Sequence, residues 1–259
     1  MWKRVALSAC ILAGSLGIEA QSCSSLGSGH PSFKWSGTEP LVLLTEYNPW
    51  AMVIGSDSPT FALYSDGTVI YWAGVGRTGK YLTATLATSE VEQLLKSAYL
   101  DRAKEFESCY SIEDATDAPT NVLVVKAENG FKTIDVYGAI RQIDRIPPTR
   151  MPSELQTALR TLLTFSRPDA REWKPPYVEV MMWPFSYAKS TMPWPVALPG
   201  TADKNTRRSA RGLELFLPYS ERGDYERFAL RLKPTTAVLL NGKKWAISER
   251  IPFPHEGKP

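Results

Sequence analysis

Residues 60–72 read TFALYSDGTVIYW, and this stretch carries the clearest folding signal in the chain. Residues of high β-propensity lie on both sides of Asp66-Gly67, a pair that fits the tight turn of a β-hairpin. Strand-forming segments also flank Asn129-Gly130 and Asn241-Gly242. The sequence therefore predicts three β-hairpins, one around each of these pairs.

Two further stretches have apolar residues at helical spacing. Their apolar faces consist of Val91, Leu94, Leu95 and Ala98 in the first, and of Leu155, Leu159, Leu162 and Leu163 in the second. No connection between the strands requires a parallel crossover. We therefore expect residues 41–166 to form an α+β domain, with an antiparallel sheet and two covering helices.

The composition changes after this part of the chain. Residues 147–199 hold ten of the twenty prolines. Proline fixes φ and donates no backbone hydrogen bond, so it favours extended and irregular structure over helix. We expect residues 167–259 to form a smaller β subdomain, rich in proline and tryptophan, that follows the first domain.

The sequence starts with Met1-Trp2-Lys3-Arg4, and residues 5–18 are apolar or small and carry no charge. A basic start before such a run is typical of a signal peptide, and the run is too short to span a bilayer. We expect a signal peptide over residues 1–20, a flexible Ser/Gly-rich linker over residues 21–40, and no transmembrane span in the mature chain. The expected location is the periplasm or the outside of the cell.

Cleavage after Ala20 would leave two cysteines, Cys23 and Cys109. In an oxidising compartment they can form a disulfide that ties the linker to the folded body. Alternatively, Cys23 is the lipid-modified first residue of a lipoprotein, which would tether the protein to the outer membrane. The third alternative is two unpaired thiols, and the sequence leaves all three open.

The segment Phe61 to Tyr71 resembles part of a group of uncharacterised secreted or lipid-anchored bacterial domains. Gly79-Lys80-Tyr81, the first helix and Asp117-Ala118-Pro119 add to the resemblance, which covers at most residues 55–140. Members often carry a Cys pair beside the first strand, and this chain has none there. The resemblance implies an envelope location and an α+β fold; the group has no assigned activity.

Charge and histidine content argue against several classes of function. The chain has 30 basic and 27 acidic residues, so no electrostatic footprint for nucleic acid is visible. Its two histidines, His30 and His255, lie near opposite ends, and we expect the folded body to contain neither. Histidine-based metal sites and Ser-His-Asp catalysis are therefore disfavoured, and we predict no metal and no cofactor.

Four aromatic side chains are concentrated in the proline-rich part: Trp173, Trp183, Tyr187 and Trp194. Exposed aromatic rings can stack on sugar rings or contact a protein partner. They are our candidate binding residues, with an envelope protein or a glycan as the partner. The alternative is that they cover the sheet and hold the two parts of the chain together.

Carboxylates provide the remaining candidates for chemistry. Glu179 and Glu214 lie in predicted strands and could hydrolyse a glycosidic bond if the fold held them at a suitable separation. Glu113-Asp114-x-x-Asp117 has the residue types that bind Ca²⁺ but lacks the spacing of a known calcium loop, so we expect a solvated loop.

The sequence contains no complete catalytic motif, so we name no catalytic residue, and whether the protein is an enzyme is open, with the balance against it. We expect an exported bacterial envelope protein that acts by binding or as a structural accessory. The alternative is a carboxylate-dependent hydrolase of an extracellular glycan.

Overall fold

The computed structural model describes residues 36–75, 78–208 and 212–256. The predicted signal peptide, Cys23 and most of the predicted linker lie outside these residues. The strands are β1 (Pro40–Tyr47), β2 (Phe61–Tyr64), β3 (Thr68–Val75), β4 (Thr78–Thr85), β5 (Cys109–Ser111), β6 (Thr120–Ala127), β7 (Gly130–Tyr137), β8 (Arg171–Glu172), β9 (Tyr177–Pro184), β10 (Ser190–Pro193), β11 (Thr206–Arg208), β12 (Leu213–Pro218), β13 (Thr236–Leu240) and β14 (Lys243–Arg250). The α-helices are α1 (Thr88–Ser97), α2 (Ser153–Leu163) and α3 (Arg222–Ala229), and 3-10 helices span Leu100–Glu105, Ile140–Arg145, Tyr219–Glu221 and Pro254–Glu256.

The fold is mixed α and β, with its strands in two sheets. The first sheet has the order β5-β7-β6-β1-β2-β3-β4-β8, and the second has the order β10-β13-β14-β9-β12-β11. Each sheet contains one parallel pair, β5 with β7 and β10 with β13. The sheet expected for residues 41–166 is therefore antiparallel except at its β5 edge. β6 follows β5 in the sequence, but β5 does not pair with it. β5 pairs instead with β7, on the edge of β7 that faces away from β6.

All three predicted hairpins are confirmed. They are β2–β3, β6–β7 and β13–β14, each an antiparallel pair. The first turn requires its glycine: Gly67 has φ of +81°, and a Cβ there would lie 2.2 Å from the carbonyl oxygen of Leu86. Such a conformation without steric cost is available to glycine alone.

Alternate residues of the first sheet pack on its two faces, as the two-residue period of a strand requires. Val42 and Leu44 of β1 belong to a core with the helical segments, whereas Leu43 between them belongs to a core with the second sheet. The helical layer draws on α1, α2 and the 3-10 helices Leu100–Glu105 and Ile140–Arg145. It therefore contains more than the two expected α-helices.

The second sheet contributes the other side of the shared core through alternate residues of its strands. Val178, Val180 and Met182 of β9 all face it, and so do Leu213, Leu215 and Leu217 of β12. The chain passes from the first sheet to the second between Glu172 and Tyr177. All described residues belong to one compact unit.

The expectation that the folded body contains no histidine is wrong. His255 is 5% exposed, and its Nδ1 is hydrogen-bonded to the hydroxyl of Tyr64 at 2.9 Å. The backbone carbonyl of the same residue accepts hydrogen bonds from the N–H groups of Ser36 and Gly37. The folded body therefore contains a histidine, because residues 251–256 pack onto the sheets instead of trailing from them.

Candidate interaction surface

The loop between β1 and β2 leaves the first sheet and reaches the second. Val53, in its middle, is fully buried in a small cluster with Phe185, Ala188, Ala237 and Ala246. Farther along the loop, the Oγ of Ser58 accepts a hydrogen bond of 2.7 Å from the backbone N–H of Ile251. The loop is therefore fixed to the outer face of the second sheet, the face opposite the shared core.

Three large apolar side chains of this loop point to solvent. Trp50 is 72% exposed, Met52 is 48% exposed and Ile54 is 63% exposed. Trp50 is nevertheless held in place: its Nε1 donates to the carbonyl oxygen of Asp117 at 3.2 Å, and its backbone N–H donates to Oδ1 of Asn48 at 2.9 Å. An exposed ring that is already oriented loses little conformational entropy on binding.

Tyr187 extends the exposed apolar area. It is 82% exposed, and its ring packs edge-to-face on Phe185 with 4.8 Å between the ring centres. Phe185 belongs to the same buried cluster as Val53, so the tyrosine and the loop share one support. We call Trp50, Met52, Ile54 and Tyr187 the outer apolar surface.

The four aromatic candidate binding residues do not lie together in the structure. Trp173 packs on Tyr81 and Phe253 in the shared core, and the buried Trp194 packs against Phe228, with its Nε1 donating to the carbonyl oxygen of Pro199.

The other two nominated rings lie elsewhere. Trp183 is partly buried against the Val53 cluster, and Tyr187 is the one member of the four that is exposed. Within the described residues, no ring contact joins any two of the four. Tyr187 thus belongs to the outer apolar surface, and Trp183 packs against the buried cluster beneath it.

Sequence inspection missed Trp50, Met52 and Ile54. Their signal is the run WAMVI at residues 50–54, which is apolar, follows Asn48-Pro49 and precedes Gly55. Such a run between two turn signals resembles a short buried strand, and only Val53 of it is buried. Trp50, Met52 and Ile54 are exposed because Val53 packs on the second sheet, and the sequence of the run does not indicate that contact.

An acidic loop adjoins the tryptophan end of this surface. Asp117, whose carbonyl oxygen binds Trp50, has an exposed side chain that makes no ion pair with any described residue. Asp114 forms a bidentate pair with Arg150, with both distances 2.6 Å. Among the residues that the structure describes, no group of three or more His, Cys, Asp or Glu is arranged to hold a metal ion.

A partly buried carboxyl group lies at the base of the loop. Burial raises the pKa of Asp57 to about 6, and the hydrogen bond from the backbone N–H of Asn48 opposes part of this shift. The positive charge of Arg250 also lowers it, while Glu46 raises it. Asp57 is therefore partly protonated in mildly acidic solution.

Glu179 and Glu214 lie on the same face of neighbouring strands, because Phe216 is opposite Glu179 and Glu214 is opposite Met181. Glu179 is only 4% exposed and accepts a 2.5 Å hydrogen bond from Nε of Arg250. Burial, followed by the charge of Glu179, raises the pKa of Glu214.

The arrangement of Glu179 is that of a buried ion pair within the sheet. Arg250 also pairs with Glu256, and in this way it links the last described segment to the second sheet. A hollow of about 270 Å³ elsewhere in the structure is lined by Leu100, Asp101, Ala103, Lys104, Lys126, Ala127 and Glu128. Neither nominated glutamate lines that hollow.

Cys109 of β5 is disulfide-bonded. Cys23, which the sequence offers either as a disulfide partner of Cys109 or as a site of lipid attachment, lies outside the described residues. None of the described helices is both long enough and apolar enough to cross a bilayer.

No protein-family model matches the sequence, and no curated protein matches it either.

Proposed function

We propose that the protein is an exported bacterial envelope protein that acts by binding, or as a structural accessory, through the outer apolar surface. The observation that carries the proposal is the set of three exposed apolar side chains on a loop that is fixed at Val53, Ser58 and Trp50. Exposed apolar groups on a long but anchored loop are typical of interaction sites. Trp is also among the residues most enriched at interfaces.

The division of the chain is part of the same proposal. We keep an α+β part and a proline-rich β part, but we place the change between them at Glu172–Tyr177 and not at residue 166, because β8 pairs with β4 of the first sheet. The outer apolar surface joins a loop of the first part to the second part. This arrangement fits an accessory protein whose two parts have to keep one relative position. Rigid proline- and tryptophan-containing segments support it, since Trp173 packs on Tyr81 of the first sheet.

Export is supported by the basic start and the uncharged run after it, and by the disulfide at Cys109, because disulfides persist in oxidising compartments. Mass spectrometry of the N-terminus of the cell-derived protein tests this part of the proposal. A terminus at Gln21 or later supports signal-peptide removal. A diacylglyceryl mass on Cys23 identifies a membrane-anchored form in which the sulfur of Cys23 is blocked and cannot pair with Cys109. An intact Met1 terminus contradicts export through a cleaved signal.

Binding is tested by site-specific photo-crosslinking of the full-length protein in the cells that produce it. A photoreactive amino acid replaces Met52, and the matched control replaces Glu128, which is exposed at the β6–β7 hairpin. We expect a crosslinked species of defined mass from position 52 and none from position 128. Absence of a crosslink at 52, or equal crosslinking at both positions, contradicts the proposal.

The alternative function, carboxylate-dependent hydrolysis of an extracellular glycan, is supported by the placement of Glu179 and Glu214 on one face. We rank it second because Glu179 is 4% exposed, and a side chain so buried cannot contact a polymeric substrate. Its test compares the wild-type protein with Glu179→Gln and Glu214→Gln on a panel of glycans. Turnover that both substitutions abolish would establish it, and lack of turnover in all three proteins rejects it.

A further inference from the structure

The geometry points to a polypeptide partner that presents apolar side chains next to a basic residue, with the basic residue at the Trp50 end of the outer apolar surface. This inference rests on the proposed binding function and names the chemical class of the partner.

Charge around the surface is unevenly distributed. At the Trp50 end lie the exposed carboxylate of Asp117, the partly buried carboxyl of Asp57 and the carboxylate of Asp114, which Arg150 neutralises. At the Tyr187 end, Lys189 is exposed.

A second lysine also lies at the Tyr187 end, because Nζ of Lys244 donates to the carbonyl oxygen of Ala188 at 3.1 Å. The surface therefore runs from an acidic end through apolar side chains to a basic end.

This polarity favours a polypeptide over a lipid bilayer. Bacterial membranes expose anionic headgroups, which attract basic groups and repel acidic ones. Trp50 is the largest exposed side chain of the surface, and inserting it would bring Asp117 against those headgroups, because its indole N–H is bonded to the backbone of that residue. A Lys or Arg of a partner chain would instead find an acceptor there that has no ion pair among the described residues.

The anchoring of Trp50 predicts that it dominates the affinity. Aromatic anchors account for much of the binding energy of many interfaces, whereas exposed charges mainly affect specificity and association rate. We therefore expect the apolar loop to determine whether binding occurs and Asp117 to determine which sequences bind.

The experiment selects peptides from a displayed library of random twelve-residue sequences on the immobilised full-length protein. We expect the enriched peptides to combine aromatic or aliphatic residues with Lys or Arg. Trp50→Ala should lower the affinity for the selected peptides about tenfold or more, as for an aromatic hot-spot residue. Ile54→Ser provides a second variant that leaves the Trp50 hydrogen bonds intact, and we expect it to weaken binding as well.

Two matched substitutions test the position of the basic residue. Asp117→Asn removes one exposed negative charge, and Lys189→Gln removes one exposed positive charge at the other end. In a buffer of about 0.1 M salt, we expect Asp117→Asn to weaken the affinity for basic peptides about threefold and Lys189→Gln to leave that affinity nearly unchanged. The Debye length is then about 10 Å, so screening limits each charge to its own end. Equal and opposite effects of the two would mean that net charge governs binding, and would overturn the inference.

The remaining outcomes are equally decisive. Enriched peptides without an excess of Lys or Arg, or peptides that bind Trp50→Ala as well as wild type, overturn the inferred partner class. Binding of the protein to vesicles of phosphatidylglycerol that Trp50→Ala abolishes assigns the surface to lipid instead. If crosslinking at position 52 succeeds while the selected peptides lack basic residues, the proposed binding function stands and only the partner class fails.

Discussion

Acid should destabilise the protein through His255, and a comparison of two variants isolates the effect. Burial, and secondarily the positive charge of Arg250, lower the pKa of His255 to about 3. The folded chain therefore resists a proton that the unfolded chain accepts below about pH 6.5. The contribution of His255 to stability is complete above that pH and decreases as the pH falls toward the folded-state pKa.

The expected magnitude follows from proton linkage between the two states. With pKa values of about 3 folded and about 6.5 unfolded, His255 lowers the free energy of unfolding by about 2 kcal/mol at pH 5 and by about 3 kcal/mol at pH 4. A domain is commonly stable by only about 5–15 kcal/mol, so this loss is a large share of the total.

Asp57 changes the free energy of unfolding in the opposite direction over the same pH range. Its pKa is raised to about 6, so the folded chain takes up this proton first and gains about 1 kcal/mol on acidification to pH 5. The pH profile of the wild-type protein alone therefore cannot report on His255. The difference in pH dependence between wild type and His255→Gln isolates the contribution of His255, because Gln keeps a polar side chain at the position but does not titrate.

The assay is urea unfolding followed by tryptophan fluorescence at pH 7.5 and pH 5, at equal ionic strength. We expect wild type to lose about 2 kcal/mol more than His255→Gln between these pH values. His30→Gln, which removes the other histidine of the chain, is the matched control and should behave as wild type. Tyr64→Phe keeps His255 buried and should retain most of the pH dependence, since burial is the larger cause of its shift.

An equal pH dependence in wild type and His255→Gln would refute this reasoning, since it would mean that His255 accepts a proton as readily in the folded as in the unfolded chain. A pH dependence that disappears in His30→Gln would also refute it.

Two further predictions concern stability at neutral pH. Gly67→Ala should lower the free energy of unfolding by about 2–4 kcal/mol, because the new Cβ would meet the carbonyl oxygen of Leu86 in a positive-φ turn. The control Gly130→Ala, with φ of +114° and nothing within 4 Å, should lower it by only about 1 kcal/mol. Equal destabilisation of the two variants in thermal melts would contradict this prediction. Arg250→Met should cost about 3–5 kcal/mol, since it leaves the carboxylate of Glu179 buried without its cation, whereas the double variant Arg250→Met/Glu179→Met should recover much of that loss; additive costs in the double variant would show that the pair does not act as a unit.

The sequence predicted those parts of the fold that depend on local chemistry. Each hairpin is specified by a turn pair and its flanking strands, and Asn241 with φ of +51° and Gly242 with φ of +72° show the backbone that such a turn demands. The apolar faces of the first two helices were likewise visible, since Leu155, Leu159 and Leu162 are all buried. These features need only neighbours within a few residues.

The parts that the sequence did not predict depend on contacts between distant segments. The parallel pairing of β10 with β13 joins Ser190 to Thr236, and no local pattern in either strand specifies the other as its partner. The third helix follows directly after a 3-10 helix and buries only Tyr225 and Phe228, too little for a clear helical period. The exposure of Trp50 depends on where Val53 finds its pocket, which lies on the second sheet.

The histidine count shows how distance along the chain can mislead. Only four residues follow His255 in the sequence, and that position suggested a solvent-exposed tail. The last described segment instead contacts both sheets: Arg250 pairs with Glu179, Phe253 packs on Tyr81, and His255 bonds to Tyr64.

The same segment also positions the loop of the outer apolar surface. The backbone N–H of Ile251 donates to Ser58, a residue 193 positions away. The segment that carries His255 therefore contacts the base of the loop that carries Trp50. A residue's role in this fold follows from what its segment packs against, and for residues 48–60 that information lies almost entirely outside the loop.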